Sequence, residues 1–286
     1  MNVEKYKVDE DSNIKLADFQ PNDTGKFESK EEAEKLMMDN IQRMAELQDT
    51  LYAQNKYAML IIFQAMDTAG KDGAIKHVMA GLNPQSTNVC SFKQPSSEEL
   101  DHDYLWRASK NLPQRGQIGI FNRSYYEEVL VVKVHNLVNF QQIPKEFITD
   151  DIWKNRYRQI RDYERYLSEN GIVILKFFLH ISKDEQKKRL LARIDDESKN
   201  WKFSSADIKE RQYWEDYQRC YEETIRETST KSAPWYVIPS NRKWFSRLMI
   251  SQAIINRMEQ LNLEYPTVSK EQKQVLQECK QKLQAE

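Results

Sequence analysis

The segment that most constrains this chain is a short apolar run, Tyr57-Ala-Met-Leu-Ile-Ile-Phe63, followed at once by Gln64-Ala-Met-Asp-Thr-Ala-Gly-Lys-Asp-Gly73. A run without apolar/polar alternation suits a strand buried on both faces, as in parallel sheets covered by helices. The loop behind it holds the parts of a phosphate-binding turn: a strand, a tight turn whose N–H groups face inward, a lysine and a helix N-terminus. Only seven of the 286 residues are glycine, where average usage of about 7% gives roughly 20. Two of them, Gly70 and Gly73, fall in this loop, which points to a backbone requirement there. The match to G-x-x-x-x-G-K-[ST] is imperfect: Ala65 takes the first glycine position, and Asp72 the hydroxyl position after Lys71. With that hydroxyl missing, Asp67 inside the loop is the candidate ligand for Mg2+. Read alone, the residues also fit an ordinary strand-to-helix turn in which Gly70 relieves strain and Asp72 caps the helix.

The same alternation runs along the rest of the chain. Residues 1–27 are polar and read as an extended arm. Ala33, Leu36, Met37, Ile41, Met44, Leu47 and Leu51 recur at three- and four-residue steps, which predicts a helix over 29–55. Residues 74–80 continue the loop as a helix stopped by Gly81 and Pro84. Further strands are expected at 87–92, 117–121, 171–179 and 235–238. Helices are expected at 98–110, 127–132, 145–168, 205–228, 242–261 and 269–284, and after Ser182, which with Glu185 forms a capping box. Strands alternating with helices predict an α/β fold, a mainly parallel sheet flanked by helices. Without internal repeat or linker, residues 1–286 read as a single domain, with 1–56 as N-terminal arm and helix.

Composition narrows the function classes. With 43 Lys+Arg against 44 Asp+Glu the formal charge is −1, so no global field draws the chain to nucleic acid or an anionic membrane. Forty per cent apolar residues, with 11% aromatic, exclude a disordered chain. No run approaches the roughly 18–20 apolar residues of a membrane span, and the start MNVEKYKVDEDSN lacks an export pattern. Cys90, Cys220 and Cys279 are scattered, and the four histidines have no zinc spacing. These features predict a soluble, reduced, cytoplasmic protein.

Ligands of such sheets gather at the carboxyl ends of the strands. The strand at 117–121 leads into Asn122, Arg123 and, one turn on, Glu127. Arg123 offers a bidentate fork for phosphate oxygens. Asn122 offers a carbonyl oxygen to a metal or its bound water, and Glu127 a second negative charge. Without the upstream loop, a capped helix with a surface Arg–Glu pair would be the preferred reading. Residues 183–211 carry nine Lys/Arg around the acidic turn Ile194-Asp-Asp-Glu197, and Arg189 and Arg193 share a helix face. A hinged basic helix pair beside a phosphate loop suggests a lid over a polyanion; taken alone, a solvated charged helix explains it better. Trp214, Tyr217 and Tyr221 form a stripe that suits a core more than a base-stacking platform.

Seven ordered blocks then resemble the type-two polyphosphate kinases, phosphate-loop phosphotransferases that use inorganic polyphosphate and purine nucleotides. They are Met66-Asp-Thr-Ala-Gly-Lys-Asp-Gly73, Gly119-Ile-Phe-Asn-Arg-Ser-Tyr-Tyr-Glu-Glu-Val-Leu-Val131, Lys133-Val-His135, Arg193-Ile-Asp195, Asn200-Trp-Lys-Phe-Ser204, Trp214-Glu-Asp-Tyr217 and Ala233-Pro-Trp-Tyr-Val237. The resemblance implies a P-loop kinase-like fold with a helical lid (183–211) and a helical N-terminal extension. It implies phosphoryl transfer from polyphosphate to AMP and/or ADP, giving ADP and ATP. By resemblance Asp67 and Lys71 serve metal and phosphate, Arg123 contacts the phosphates in flight, and Arg193 and Lys202 face phosphate from the lid. Asn122 stands where the family often has Asp; with Glu127 it is similar to the subgroup acting on both AMP and ADP.

The expected catalytic set is therefore Asp67, Lys71, Asn122, Arg123 and Glu127. Thr68, Ala69, Gly70, Asp72, Gly73, Lys133, Arg189, Arg193 and Lys202 are expected to bind phosphate or nucleotide. Asp67 and Glu127 are expected to hold Mg2+, with Mn2+ as a substitute. Polyphosphate and purine nucleotides are the expected partners, without nucleic acid or membrane, and a homo-oligomer is left open. Two rival functions share these parts: an ATP-dependent nucleoside or nucleotide monophosphate kinase, and a non-catalytic nucleotide or polyanion-binding module. The pairing of Asp67 with Glu127 argues against the second, since pure anion binding has no use for acids beside the phosphates.

Overall fold

The structure, a computed structural model, describes residues 2–27 and 29–286. Its strands are β1 Lys7–Val8, β2 Ala58–Ala65, β3 Thr87–Ser91, β4 Ile118–Asn122, β5 Ile172–His180 and β6 Trp235–Pro239. They form one sheet in the order β1-β6-β5-β2-β4-β3. All neighbouring pairs are parallel except β1 with β6. Every residue of β2 is buried, so both faces of the sheet are covered at its centre, as the continuous apolar run demands. The predicted α/β architecture is the one observed.

The longer helices are α1 Lys30–Gln54 and α2 Lys71–Val78. Three single-turn pieces follow, α3 Ser97–Leu100, α4 Trp106–Ser109 and α5 Val131–Val134. Then come α6 Ile152–Glu169, α7 Lys183–Asp195, α8 Ser205–Glu210, α9 Trp214–Thr228, α10 Lys243–Glu259 and α11 Lys270–Gln284. α10 lies on β5 and β6 and carries α1 and α2, while α6 lies on β5 and carries α9. α1 opens where the Ser29 side chain accepts from the Glu32 N–H and closes at Asn55 in the left-handed conformation. Its apolar stripe, Ala33, Met44, Leu47 and Leu51, is buried, as the periodicity predicts. Among the described residues no helix is long and apolar enough to cross a membrane.

Several expectations are corrected. The N-terminal arm is part of the core: Val3, Tyr6, Val8 and Leu16 are buried, and β1 extends the sheet beyond β6. The single helix expected over 98–110 is split, because Asp103 Oδ1 accepts from the Leu105 N–H and turns the chain there. The helix expected over 127–132 is a 3-10 turn, Tyr125–Val129, then α5, divided by the non-helical Leu130. The helix expected over 145–168 starts only at Ile152, and that over 205–228 is interrupted by a 3-10 turn at Arg211–Tyr213. The capping box after Ser182 is half formed. Ser182 Oγ accepts from the Glu185 N–H at 3.2 Å, but the Glu185 carboxylate turns to Arg189.

Candidate active site

The site gathers at the carboxyl end of β2. Gly70 has φ +106 and caps α2, and the loop before it holds Thr68 at φ +64. A left-handed backbone at a β-branched residue is strained. A second non-glycine residue in that conformation is Arg123, also at φ +64. Parallel pairing sets Phe63 of β2 opposite Asn122 of β4, and the Arg123 N–H donates to the Phe63 carbonyl at 3.0 Å. That register delivers Asn122 and Arg123 to the loop.

Around it the expected residues meet. Lys71 Nζ donates to the Ala65 carbonyl at 2.9 Å, folding the ammonium back over the loop. Burial, with Arg123 beside it, holds Lys71 below the ordinary lysine range; Asp67, Glu127 and Asp72 oppose the shift. Arg123 Nη2 lies 3.5 Å from Asp67 Oδ1. Burial raises the Glu127 carboxyl above the ordinary range, against the pull of Arg123 and Lys71. Asn122 Nδ2 donates to Asp72 Oδ1 at 2.7 Å, so the residue in the hydroxyl position is held by the next strand. Gly73 opens toward α10, where a Cβ would sit 3.5 Å from Arg247 Nη2.

The turn carrying Glu127 is anchored from below. Lys176 on β5 and Glu164 on α6 pair at 2.6 Å with side-chain exposures of 0% and 1%. Glu164 Oε1 accepts from the Tyr125 and Tyr126 hydroxyls at 2.8 and 2.7 Å. Lys176 also donates to Tyr126 Oη and the Thr228 carbonyl. A buried pair is tolerable only when satisfied in this way.

Other expected residues stand elsewhere. Lys133 is committed to α9 and α6, donating to Glu223 Oε2 at 2.6 Å and Tyr157 Oη at 3.1 Å; the structure does not bring it to the loop. Arg193 donates to the Lys202 carbonyl and to Asp207 Oδ2, both at 3.3 Å, which ties α7 to α8 and the segment between them. Lys202 Nζ lies over the Trp201 ring. Arg189 reaches the loop, but through the carbonyls of Thr68 and Ala69. The aromatic stripe is core: Trp214, Tyr217 and Tyr221 are buried, and Tyr221 stacks on Phe178.

Some residues escaped the sequence reading. Burial and the Asp67 charge both raise the carboxyl of Asp207 on α8. Burial, with the repulsion of Arg189, Arg247 and Lys199, lowers the ammonium of Lys243 on α10. The signal for Lys176 was a lone charge inside the apolar run 171–179.

Among the described residues no group of three or more His, Cys, Asp or Glu could hold a metal by itself. A Mg2+ ion in phosphoryl transfer needs only one or two carboxylates, with phosphate and water oxygens completing its shell. Asp67 and Glu127 interact electrostatically, and Thr68 Oγ1 is a buried oxygen without a partner. This hard-oxygen set fits the ion.

A mainly parallel sheet flanked by helices, with a glycine-bearing strand-to-helix loop behind its central strand and an arginine at the neighbouring strand end, defines the P-loop kinase-like class. Residues 27–266 match the family model Polyphosphate kinase 2 (PPK2), and the chain belongs to that family. It is 48% identical over 283 residues to the ADP-polyphosphate phosphotransferase of Rhodopseudomonas palustris, covering 98% of each chain. It is 46% identical over 266 residues to the AMP/ADP-polyphosphate phosphotransferase of Meiothermus ruber, covering 92% of this chain and 96% of that one. The crystal structure of Polyphosphate Kinase 2 from Arthrobacter aurescens superposes with a TM-score of 0.86 at 40% identity, covering 93% of this chain and 92% of the other.

Proposed function

We propose that this chain transfers the terminal phosphoryl group of inorganic polyphosphate to AMP and ADP, forming ADP and ATP. One observation carries the reading: Lys71 and Arg123 converge with Asp67 and Glu127 on a single phosphate loop. Phosphoryl transfer asks a protein for positioning and charge stabilisation more than for covalent chemistry. The loop N–H groups and Lys71 hold donor oxygens, and Arg123 neutralises charge on the group in flight. The acceptor is an ionised phosphate oxygen, so no strong general base is required. Asp67 and Glu127, with Thr68 Oγ1, are the residues that would hold Mg2+, or Mn2+ in its place. Held there, the ion would supply positive charge that offsets the repulsion between phosphate groups. The lid from α7 to α8 excludes water, which would otherwise compete as acceptor. The three cysteines are free, in keeping with a reducing cytoplasm.

The test is formation of ADP and ATP from AMP with polyphosphate, set against AMP with ATP as donor, each with and without Mg2+. Polyphosphate-driven, Mg2+-dependent turnover is expected. A preference for ATP as donor would instead identify a monophosphate kinase.

Asn122 supplies a second prediction. Asn122→Asp would set a carboxylate against Asp72 at hydrogen-bond distance, where two like charges resist joint ionisation. The ratio of AMP to ADP turnover is expected to change by roughly threefold or more, on the scale of about 1 kcal/mol for a hydrogen bond exchanged for repulsion. An unaltered ratio would mean that Asn122 does not set acceptor choice.

A further inference from the structure

We propose that Arg189, together with Gln186, is a positioning residue that shapes the phosphate loop from behind and does not itself bind phosphate. A guanidinium has five N–H donors, and in Arg189 all are engaged. Nε donates to Glu185 Oε1 at 2.7 Å. Nη1 donates to the carbonyls of Thr68 at 3.1 Å and Ala69 at 2.8 Å. Nη2 donates to the carbonyls of Ser240 at 2.6 Å and Asn241 at 3.1 Å. No donor is left for a ligand. Arg189 bridges the loop behind β2 to the segment behind β6, across the intervening β5.

Gln186, one turn earlier on α7, completes the clamp. Its Nε2 donates to the Asp67 carbonyl at 3.2 Å, and its Oε1 accepts from Arg211 Nη1 at 2.8 Å, which fixes the amide. The carbonyls of Asp67, Thr68 and Ala69 are thus all drawn toward α7. A trans peptide sets its N–H opposite its carbonyl, so the N–H groups of Thr68 and Gly70 face away from α7, into the site. The N–H of Ala69 closes a turn on the Met66 carbonyl at 3.2 Å. The loop needs this external hold, because Thr68, a β-branched residue, sits at a strained φ of +64.

Only the kinetic part of the test rests on the polyphosphate kinase reading. Arg189→Lys keeps the charge but cannot span four carbonyls. Hydrogen exchange at the amides of residues 67–73 is expected to accelerate roughly tenfold or more, as for a segment released to open locally. Turnover is expected to fall by roughly tenfold to a hundredfold, as misplaced catalytic groups do, with KM for polyphosphate within about threefold. Gln186→Met, which removes one clamp bond, should move both readouts in the same direction, and it decides the matter if Arg189→Lys does not fold. A phosphate ligand would behave otherwise: Arg189→Lys would keep its kcat, lose in KM and leave loop exchange as in the parent, and that pattern overturns the proposal. If the parent protein transfers nothing from polyphosphate, the functional reading fails by itself. Loop exchange then decides the clamp, and unchanged exchange in both variants refutes it.

Discussion

Lys71→Ala is expected to lower kcat by on the order of 10² or more, the cost of losing a preorganised charge-stabilising donor. The ammonium is already folded over the loop through its bond to the Ala65 carbonyl, so little reorganisation is required when charge develops on the transferred group. Its protonation state gives a second, independent signature. Burial and Arg123 hold the Lys71 ammonium below the ordinary lysine range in the free protein. The protonated form is the useful one, so kcat/KM should decline as pH rises, beginning below the range of an ordinary lysine. Bound phosphates raise the same group, so the alkaline limb of kcat should lie at higher pH than that of kcat/KM. Both limbs should disappear in Lys71→Ala. Near-parental turnover in a variant with unchanged circular dichroism would remove Lys71 from the chemistry.

What the sequence disclosed about this site was what lies close along the chain. The run 57–63 had to be a doubly buried strand, and Asp67, Gly70 and Lys71 follow it within a few residues. Asn122 and Arg123 were legible for the same reason, as the residues leaving another strand. Partnerships were not. The Asn122 to Asp72 bond joins residues 50 apart in the chain, and only the parallel register of β2 and β4 creates it. Charge was the least reliable guide, because a basic residue does not announce its acceptor. Lys133 found Glu223, and Arg189 found carbonyls. Helix breaks were missed wherever a short side chain or a 3-10 turn redirected a segment whose composition still favoured helix, as at Asp103 and Arg211–Tyr213.

The largest loss of stability is expected from Lys176→Met. The side chain that remains packs in the apolar sheet, but Glu164 is left as an uncompensated buried carboxylate with only the Tyr125 and Tyr126 hydroxyls to satisfy it. Breaking one side of such a pair costs about 3–5 kcal/mol, and at about 2–4 °C per kcal/mol for a chain near this size the melting temperature should drop by roughly 6 °C or more. Glu164→Gln with Lys176→Met should recover much of that loss, because no charge is then buried and the amide oxygen still accepts from a tyrosine. A surface-like loss below about 1 kcal/mol in the single variant, read from urea denaturation midpoints, would show that the pair is not the anchor described. The consequence for function follows from position. Tyr125 and Tyr126 open the turn that carries Glu127, so a variant that frees them should also weaken the site's hold on Mg2+, measured as a rise in the Mg2+ concentration needed for half-maximal turnover at a temperature where the protein remains folded. Unchanged Mg2+ dependence in a destabilised Lys176→Met would confine the pair to a purely structural role.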